Sequence, residues 1–344
     1  MNCQRLAAIC VPIVLLAAVP LAEGKQYEYK HGQWVEIAPP KAGTPQALVA
    51  EIREAVRQHK FRQALHLADE FLKKYPGDPS GEQVMALAGE AQMRRGRYFE
   101  AFKWYQRQVR EYPTGTLFHQ ALQREYEIAD AFLNGRKRIV LGFLPVSATD
   151  DGLDILTRIA EQAPGSKMAQ KALLRIADYH YDHQEWSQAI DAYEQFLSLY
   201  ARVSDKTSYA MLQSARASYA MYRGIQYDET PLLDAEQKFR SFQENYPAQA
   251  AQANVAAILL QIKDIRAQKL YAVGEFYLRT NHPDAAAHTW RALVRLYPNS
   301  DWAKRASDRL AAVRAKPAAT TTTPTTAPTS IEQLAPPAGS EEGK

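Results

Sequence analysis

Residues 274–298 read GEFYLRTNHPDAAAHTWRALVRLYP, and the placing of small and large side chains in this stretch decides the fold. Gly274 is followed twelve positions later by Ala286, and Ala286 twelve positions later by Pro298, with Tyr297 before it. Trp290 and Leu293 lie four and seven positions after Ala286, a spacing that gathers all three on one face of a helix. An alanine lets two helices approach closely, and the aromatic one turn on fills the groove beside it. The proline cannot continue a helix, so it ends the pair and sets the turn to the next.

The same arrangement recurs along the chain. Ala64 leads to Tyr75-Pro76, Ala101 to Tyr112-Pro113, Gly152 to Ala163-Pro164 and Ala235 to Tyr246-Pro247, while Ala189 leads to Tyr200-Ala201, where the proline is lost. Four positions after these anchors come Ala68, Tyr105, Leu156, Tyr193 and Phe239; seven after them come Phe71, Gln108, Ile159, Phe196 and Phe242. Gly89 and Ala177 precede their anchors by twelve, as Gly274 does. Together these features form the tetratricopeptide-repeat (TPR) pattern, and the chain is expected to be all-α, a TPR superhelix of about six helical hairpins over residues 44–315. The anchors are separated by 37, 51, 37, 46 and 51 residues. Several first helices or loops must therefore be long, and Ile139 to Asp151 and Ala248 to Thr280 are the places. No stretch alternates with period two, so no sheet is expected.

Composition narrows the function. Of 344 residues, 46% are hydrophobic and 23% charged, with 42 basic and 38 acidic side chains. A net charge of +4 is too balanced for a nucleic-acid partner. Residues 1–24 hold Arg5 and then an apolar run to Leu21, with Ala22 and Gly24 suited to a signal peptidase cut, so they read as a signal peptide. Pro12 and Pro20 weigh against the rival reading, a retained anchor helix. Both cysteines, Cys3 and Cys10, lie in this segment, and neither sits where a lipid-modified cysteine would. Residues 25–43 are a polar lead, and residues 316–344 a Thr/Pro/Ala-rich tail expected to be disordered.

Chemistry-bearing motifs are sparse, and no catalytic, cofactor or metal site is expected. Asp178, His180, Asp182 and His183 could share a helix face as metal ligands, but the plainer reading is a polar helix end. Arg94, Arg95 and Arg97, and Arg136, Lys137 and Arg138, read as cations at helix carboxyl ends, where the helix dipole favours them. The working surface is expected on the concave face, formed by the first helix of each pair. Counting from the small residues places Gln46, Arg53 and Arg57 there, then Gln83, Glu90 and Arg94, then Tyr126, Asp130 and Asn134 about Ala129. Amides, arginines and a tyrosine suit an extended peptide, whose backbone demands hydrogen bonds.

The repeat number, the Tyr-Pro endings and the signal segment resemble BamD-like (YfiO-type) proteins of outer membrane protein assembly. Ala163 to Ala172 followed by Ile176 to Tyr179 looks like the family's link between its third and fourth repeats. Asp228 to Ala235, leading to Phe239 and Tyr246-Pro247, looks like its fifth, and Gly274 to Pro298 like its closing repeat. The resemblance implies a non-enzymatic scaffold in the periplasm, associated with the outer membrane through its partner. A BamA-like barrel assembly protein would bind the carboxyl-terminal repeats, and unfolded outer membrane proteins the amino-terminal ones. Family members are lipoproteins, and no acceptor cysteine is found here. The alternative is another periplasmic TPR adaptor, resembling the YbgF/CpoB proteins of envelope organisation, although the coiled-coil segment usual there is missing. A TPR-bearing cell-wall hydrolase would need a catalytic domain for which the repeats leave no room.

Overall fold

The computed structural model describes residues 26–30, 33–37, 41, 43–141 and 143–315. The expected signal segment with its two cysteines and the Thr/Pro-rich tail lie outside the described residues. The chain divides into two compact units, residues 1–91 and 92–344.

The first unit opens with a hairpin of β1 (Gln26–Lys30) and β2 (Gln33–Ile37), in which Tyr29 stands opposite Trp34 and Tyr27 opposite Glu36. This corrects the expectation of no sheet: the lead contains two five-residue strands, rich in the aromatic and β-branched residues that favour extended chain. Helix α1 (Pro45–Arg57) starts at Thr44, whose hydroxyl oxygen accepts from the Ala47 N–H, with Pro45 in the first turn, where its missing N–H is no loss. It packs against α2 (Phe61–Lys74), burying Ile52, Val56, Ala64, Ala68 and Phe71. Helix α3 (Gly81–Arg94) follows, and the second unit begins within it at Gln92.

The second unit continues with α4 (Tyr98–Glu111) and α5 (Phe118–Leu133), the hairpin β3 (Arg138–Val140) and β4 (Leu144–Val146), and α6 (Thr149–Gln162). Then come α7 (Lys167–Asp182), α8 (Trp186–Tyr200), α9 (Thr207–Met221), α10 (Thr230–Asn245) and the short α11 (Pro247–Gln252). The last three helices are α12 (Val255–Arg279), α13 (Pro283–Leu296) and α14 (Asp301–Ala315). From α4 to α10 each helix packs on the next, and α12, α13 and α14 pack on one another.

Every anchor and its partners four and seven residues on are buried, from Ala64, Ala68 and Phe71 to Ala286, Trp290 and Leu293. Large members such as Tyr193, Phe239 and Trp290 each contribute about 1.5–3 kcal/mol of burial. The anchors are small because their neighbours are close. A Cβ on Gly152 would lie 3.0 Å from the Ala129 carbonyl oxygen and 3.1 Å from a Leu133 methyl. A Cβ on Gly274 would overlap the Trp290 indole.

The turns repeat as faithfully as the cores. Five first helices end on a left-handed residue: His59, Gly96, Gly135, Gln184 and Asn281 all have φ between +59° and +89°, whereas α9 ends on the extended Tyr222. The next N–H then reaches back to the last turn, as from Lys60 to Ala55 O, Arg97 to Gln92 O and His282 to Tyr277 O at 2.8–2.9 Å, satisfying carbonyls that the helix end leaves open. Second helices end differently. Tyr75, Tyr112, Ala163, Tyr246 and Tyr297, each before a proline, have φ between −136° and −128°, because proline drives the preceding residue out of helical geometry. Where the proline is lost, Ala201 keeps φ −54° and ψ −28°, still helical.

The two long intervals have distinct causes. Between α5 and α6 the chain inserts the β3–β4 hairpin, with Ile139 opposite Pro145. Between α10 and α13 it inserts α11 and the 25-residue α12. The first half of α12 puts Val255, Leu259 and Ile262 into the core around Phe239 and Phe242. Its second half puts Ala267 and Tyr271 against Trp290 and Ala306.

Candidate protein-docking face

Tyr126 and Asp130 on α5 and Asn134 at its C-cap follow one another at one-turn intervals, with Tyr126 at the edge of the core that holds Leu122, Ile128, Ala129 and Phe132. Helix α7 brings Lys171 and Arg175 beside them. The Arg175 Nε donates to Asp130 Oδ1 at 2.7 Å, and Asn134 Nδ2 donates to Asp130 Oδ2 at 3.1 Å. The Lys171 ammonium lies 4.0 Å from the centre of the Tyr126 ring. Burial, then the Asp130 charge, raises the Tyr126 pKa.

One helix pair further on, Asp178 of α7 accepts from Tyr193 Oη of α8 at 2.6 Å and Tyr209 Oη of α9 at 2.8 Å. Burial and then the hydrogen bond to Asp178 push Tyr209 up to about 12 and Tyr193 further still. Next, Lys238 of α10 bridges Glu194 at 2.7 Å and Asp234 at 2.8 Å, and Ser218 of α9 donates to Asp234 at 2.6 Å. At α12, Arg309 of α14 pairs with Glu275 at 2.9 Å. A rule connects these contacts. Asp130, Asp178 and Glu275 each directly follow a small residue, Ala129, Ala177 or Gly274, and each accepts from a later helix.

Of the sequence-derived residues, Asp130 and Asn134 are brought together, with Tyr126 one turn away on the same stripe. Gln46, Arg53 and Arg57 are exposed on α1 of the first unit, where Arg57 Nε pairs locally with Glu54 at 2.6 Å. Gln83 and Glu90 are half-buried on α3, and Arg94 is exposed at its end in the second unit. Arg175, Lys171, Tyr209 and Lys238 were missed, yet the acidic residue after each small one was a visible signal. The candidate metal ligands point to separate partners. His180 Nδ1 meets Glu185 at 2.6 Å, and His183 Nδ1 meets the Tyr179 carbonyl at 2.8 Å while stacking on its ring. Among the described residues no group of three or more His, Cys, Asp or Glu could hold a metal ion. The second basic cluster does more than cap a helix: Arg136 lies over Tyr98, and Arg138 over Phe99. Beside it Gly96, Ala131, Asn134, Gly135, Arg136, Lys137 and Ile139 line an open concavity of about 530 Å³.

These links hold successive helices in register, and one is open to a direct test. Asp178→Ala leaves the buried Tyr193 hydroxyl without its acceptor, and an unsatisfied buried donor costs about 1–3 kcal/mol. Urea unfolding is expected to show that loss, and Tyr193→Phe in the same background to recover part of it. Full additivity of the two substitutions would count against the contact.

Comparison with known proteins agrees with this architecture. Residues 49–116 match the tetratricopeptide-repeat family model, and residues 147–312, from the start of α6 into α14, match the model of the outer membrane lipoprotein YfiO. The fold and the repeated contacts define a tetratricopeptide-repeat protein, of a class that serves as protein-interaction scaffolds. More particularly, residues 147–312 of this chain are YfiO-like, and so BamD-like. The outer membrane protein assembly factor BamD of Caulobacter vibrioides is 21% identical over 161 residues, 47% of this chain and 52% of that protein. The aligned part thus spans about half the length of that relative. Among solved structures, the carboxyl-terminal part of a TPR protein from Cytophaga hutchinsonii is 16% identical, with a TM-score of 0.34 over 78% of this chain and 89% of that one. A tetratricopeptide-repeat protein from Parabacteroides merdae is 14% identical, with a TM-score of 0.32 over 78% of this chain and 98% of that one.

Proposed function

We propose that this protein is a periplasmic, non-enzymatic component of the machinery that assembles β-barrel outer membrane proteins. Its carboxyl-terminal repeats bind a BamA-like barrel assembly protein, through which it associates with the outer membrane. Its amino-terminal repeats hold unfolded outer membrane proteins. The observation that supports this most strongly is the match of residues 147–312 to the YfiO model. The exposed polar stripe of α1 and the half-buried one of α5 suit an extended chain, whose backbone groups need donors and acceptors. Gln46, Arg53, Arg57, Gln83, Glu90, Arg94 and Tyr126 are the proposed contacts. Asp130 and Asn134 would share their hydrogen bonds between substrate and Arg175.

The test is recovery of partners from cells through a carboxyl-terminal tag in mild detergent, with identification by mass spectrometry. An outer-membrane barrel protein with periplasmic repeats is expected at near-equal amounts. Arg53→Glu with Arg57→Glu is expected to reduce the recovered unfolded barrel proteins about tenfold, as loss of two contact residues can, and to leave the barrel partner at the parent level. Recovery of cell-wall or division proteins alone would replace this reading with that of an envelope adaptor.

A further inference from the structure

The β3–β4 hairpin between α5 and α6 presents its apolar side chains to solvent. Ile139 is 38% exposed, Leu141 80%, Phe143 79% and Leu144 46%. Surface apolar residues are ordinary one at a time, but four at one tip mark an interaction site. Leu141 also holds φ +51°, a left-handed conformation that favours glycine or asparagine over a branched apolar side chain. A turn selected only to reverse the chain would not place leucine there. The stem is firmly held: the Arg138 guanidinium lies 3.4 Å from the centre of the Phe99 ring and pairs with Asp151 at 3.1 Å. The tip therefore projects from an anchored base. Neither family match reaches it, since one ends at residue 116 and the other begins at 147.

Charge identifies the occupant. Residues 136–148 contain three cations and no carboxylate; Arg136 and Lys137 are both exposed just before the stem. At a rise of roughly 3.3 Å per residue they lie within about 15 Å of the tip. An apolar tip backed by a basic collar matches the order of layers in a leaflet, where an apolar face buries about 5–10 Å into the boundary of headgroups and acyl chains and cations meet the anionic headgroups. A protein receptor would need a pocket for a convex tip, whereas a bilayer accepts it by parting.

We propose that this hairpin is a membrane-contact element that inserts Leu141, Phe143 and Leu144 into the interface of an anionic phospholipid leaflet, with Arg136 and Lys137 meeting the headgroups. The inference goes beyond the scaffold reading and is read on lipid alone, so its failure would leave that reading untouched. The full chain is sedimented with vesicles of phosphatidylcholine and of phosphatidylcholine mixed with phosphatidylglycerol. The parent is expected to bind the anionic vesicles more strongly. Leu141→Asp with Phe143→Asp should weaken that binding at least about tenfold, with unchanged circular dichroism because both side chains are exposed. Arg136→Glu with Lys137→Glu should remove the preference for anionic vesicles. In a Phe143→Trp variant, lipids brominated near the headgroup should quench fluorescence beyond the parent's level. Undiminished sedimentation of the aspartate variant, or no added quenching at position 143, overturns the proposal. So does a hairpin-dependent dimer in sedimentation velocity without vesicle binding.

Discussion

Replacing Glu125 by glutamine is expected to make the protein more stable at neutral pH, by roughly 3–4 kcal/mol near pH 7.5, and to change little near pH 4.5. Glu125 lies on α5 among Ala121, Leu122, Ile128 and Ala129, and it is 0% exposed. Neither carboxyl oxygen has a hydrogen-bond partner. Burial pushes its pKa up to about 8, against a weaker downward pull from the Arg158 charge. The folded protein thus holds the proton more tightly than the unfolded chain, whose glutamates titrate at about 4.3. Stability is full below that unfolded value and is lost as pH rises toward the folded one. Glutamine is never charged, so its stability should stay flat over the same window. Urea unfolding at a series of pH values measures this. A parent curve as flat as the variant's would show Glu125 to be solvated or paired.

Gly274→Ala is expected to destabilise the protein by about 2–3 kcal/mol, the range of an overpacked core. In a solvent-facing helix the same change would be favourable by about 1 kcal/mol. The sign reverses because the new methyl falls on the Trp290 indole, which is 0% exposed and donates through Nε1 to the Tyr271 carbonyl at 3.3 Å. Trp290→Ala alone leaves a cavity and should cost about 3–5 kcal/mol. Combined, the two should cost less than their sum, since the methyl then enters space the indole has vacated. Thermal and urea unfolding of the four proteins closes this cycle. Strict additivity would mean that α12 and α13 do not meet as closely as Gly274 requires.

The same pair shows what could be read in advance. Gly274, Ala286, Trp290 and Pro298 encode a close helix contact through side-chain size at fixed separations, and each met its expected role. At Ala201, where the proline is missing, the residue that ends α8 keeps helical dihedrals, unlike those before the other prolines. Glu125 was legible only as one more position on the apolar stripe of α5; nothing in the chain told that its carboxyl would be left without a partner. Of the proposed docking stripe, the one-turn spacing of Tyr126, Asp130 and Asn134 followed from the helical period. Arg175 did not, because it reaches Asp130 from 45 residues away and local periodicity carries no trace of such a pairing.

By itself, then, the sequence determined the helices, the positions of their close contacts and the way each pair ends, because those depend on residue size, helical period and proline sterics within a few turns. Tertiary structure decided the rest. It made α12 one continuous helix serving two cores, paired Asp130, Asp178 and Glu275 with later helices, and raised the β3–β4 tip into solvent. Each of these outcomes depends on which distant surfaces come together, and so on burial and charge pairing that no single segment contains.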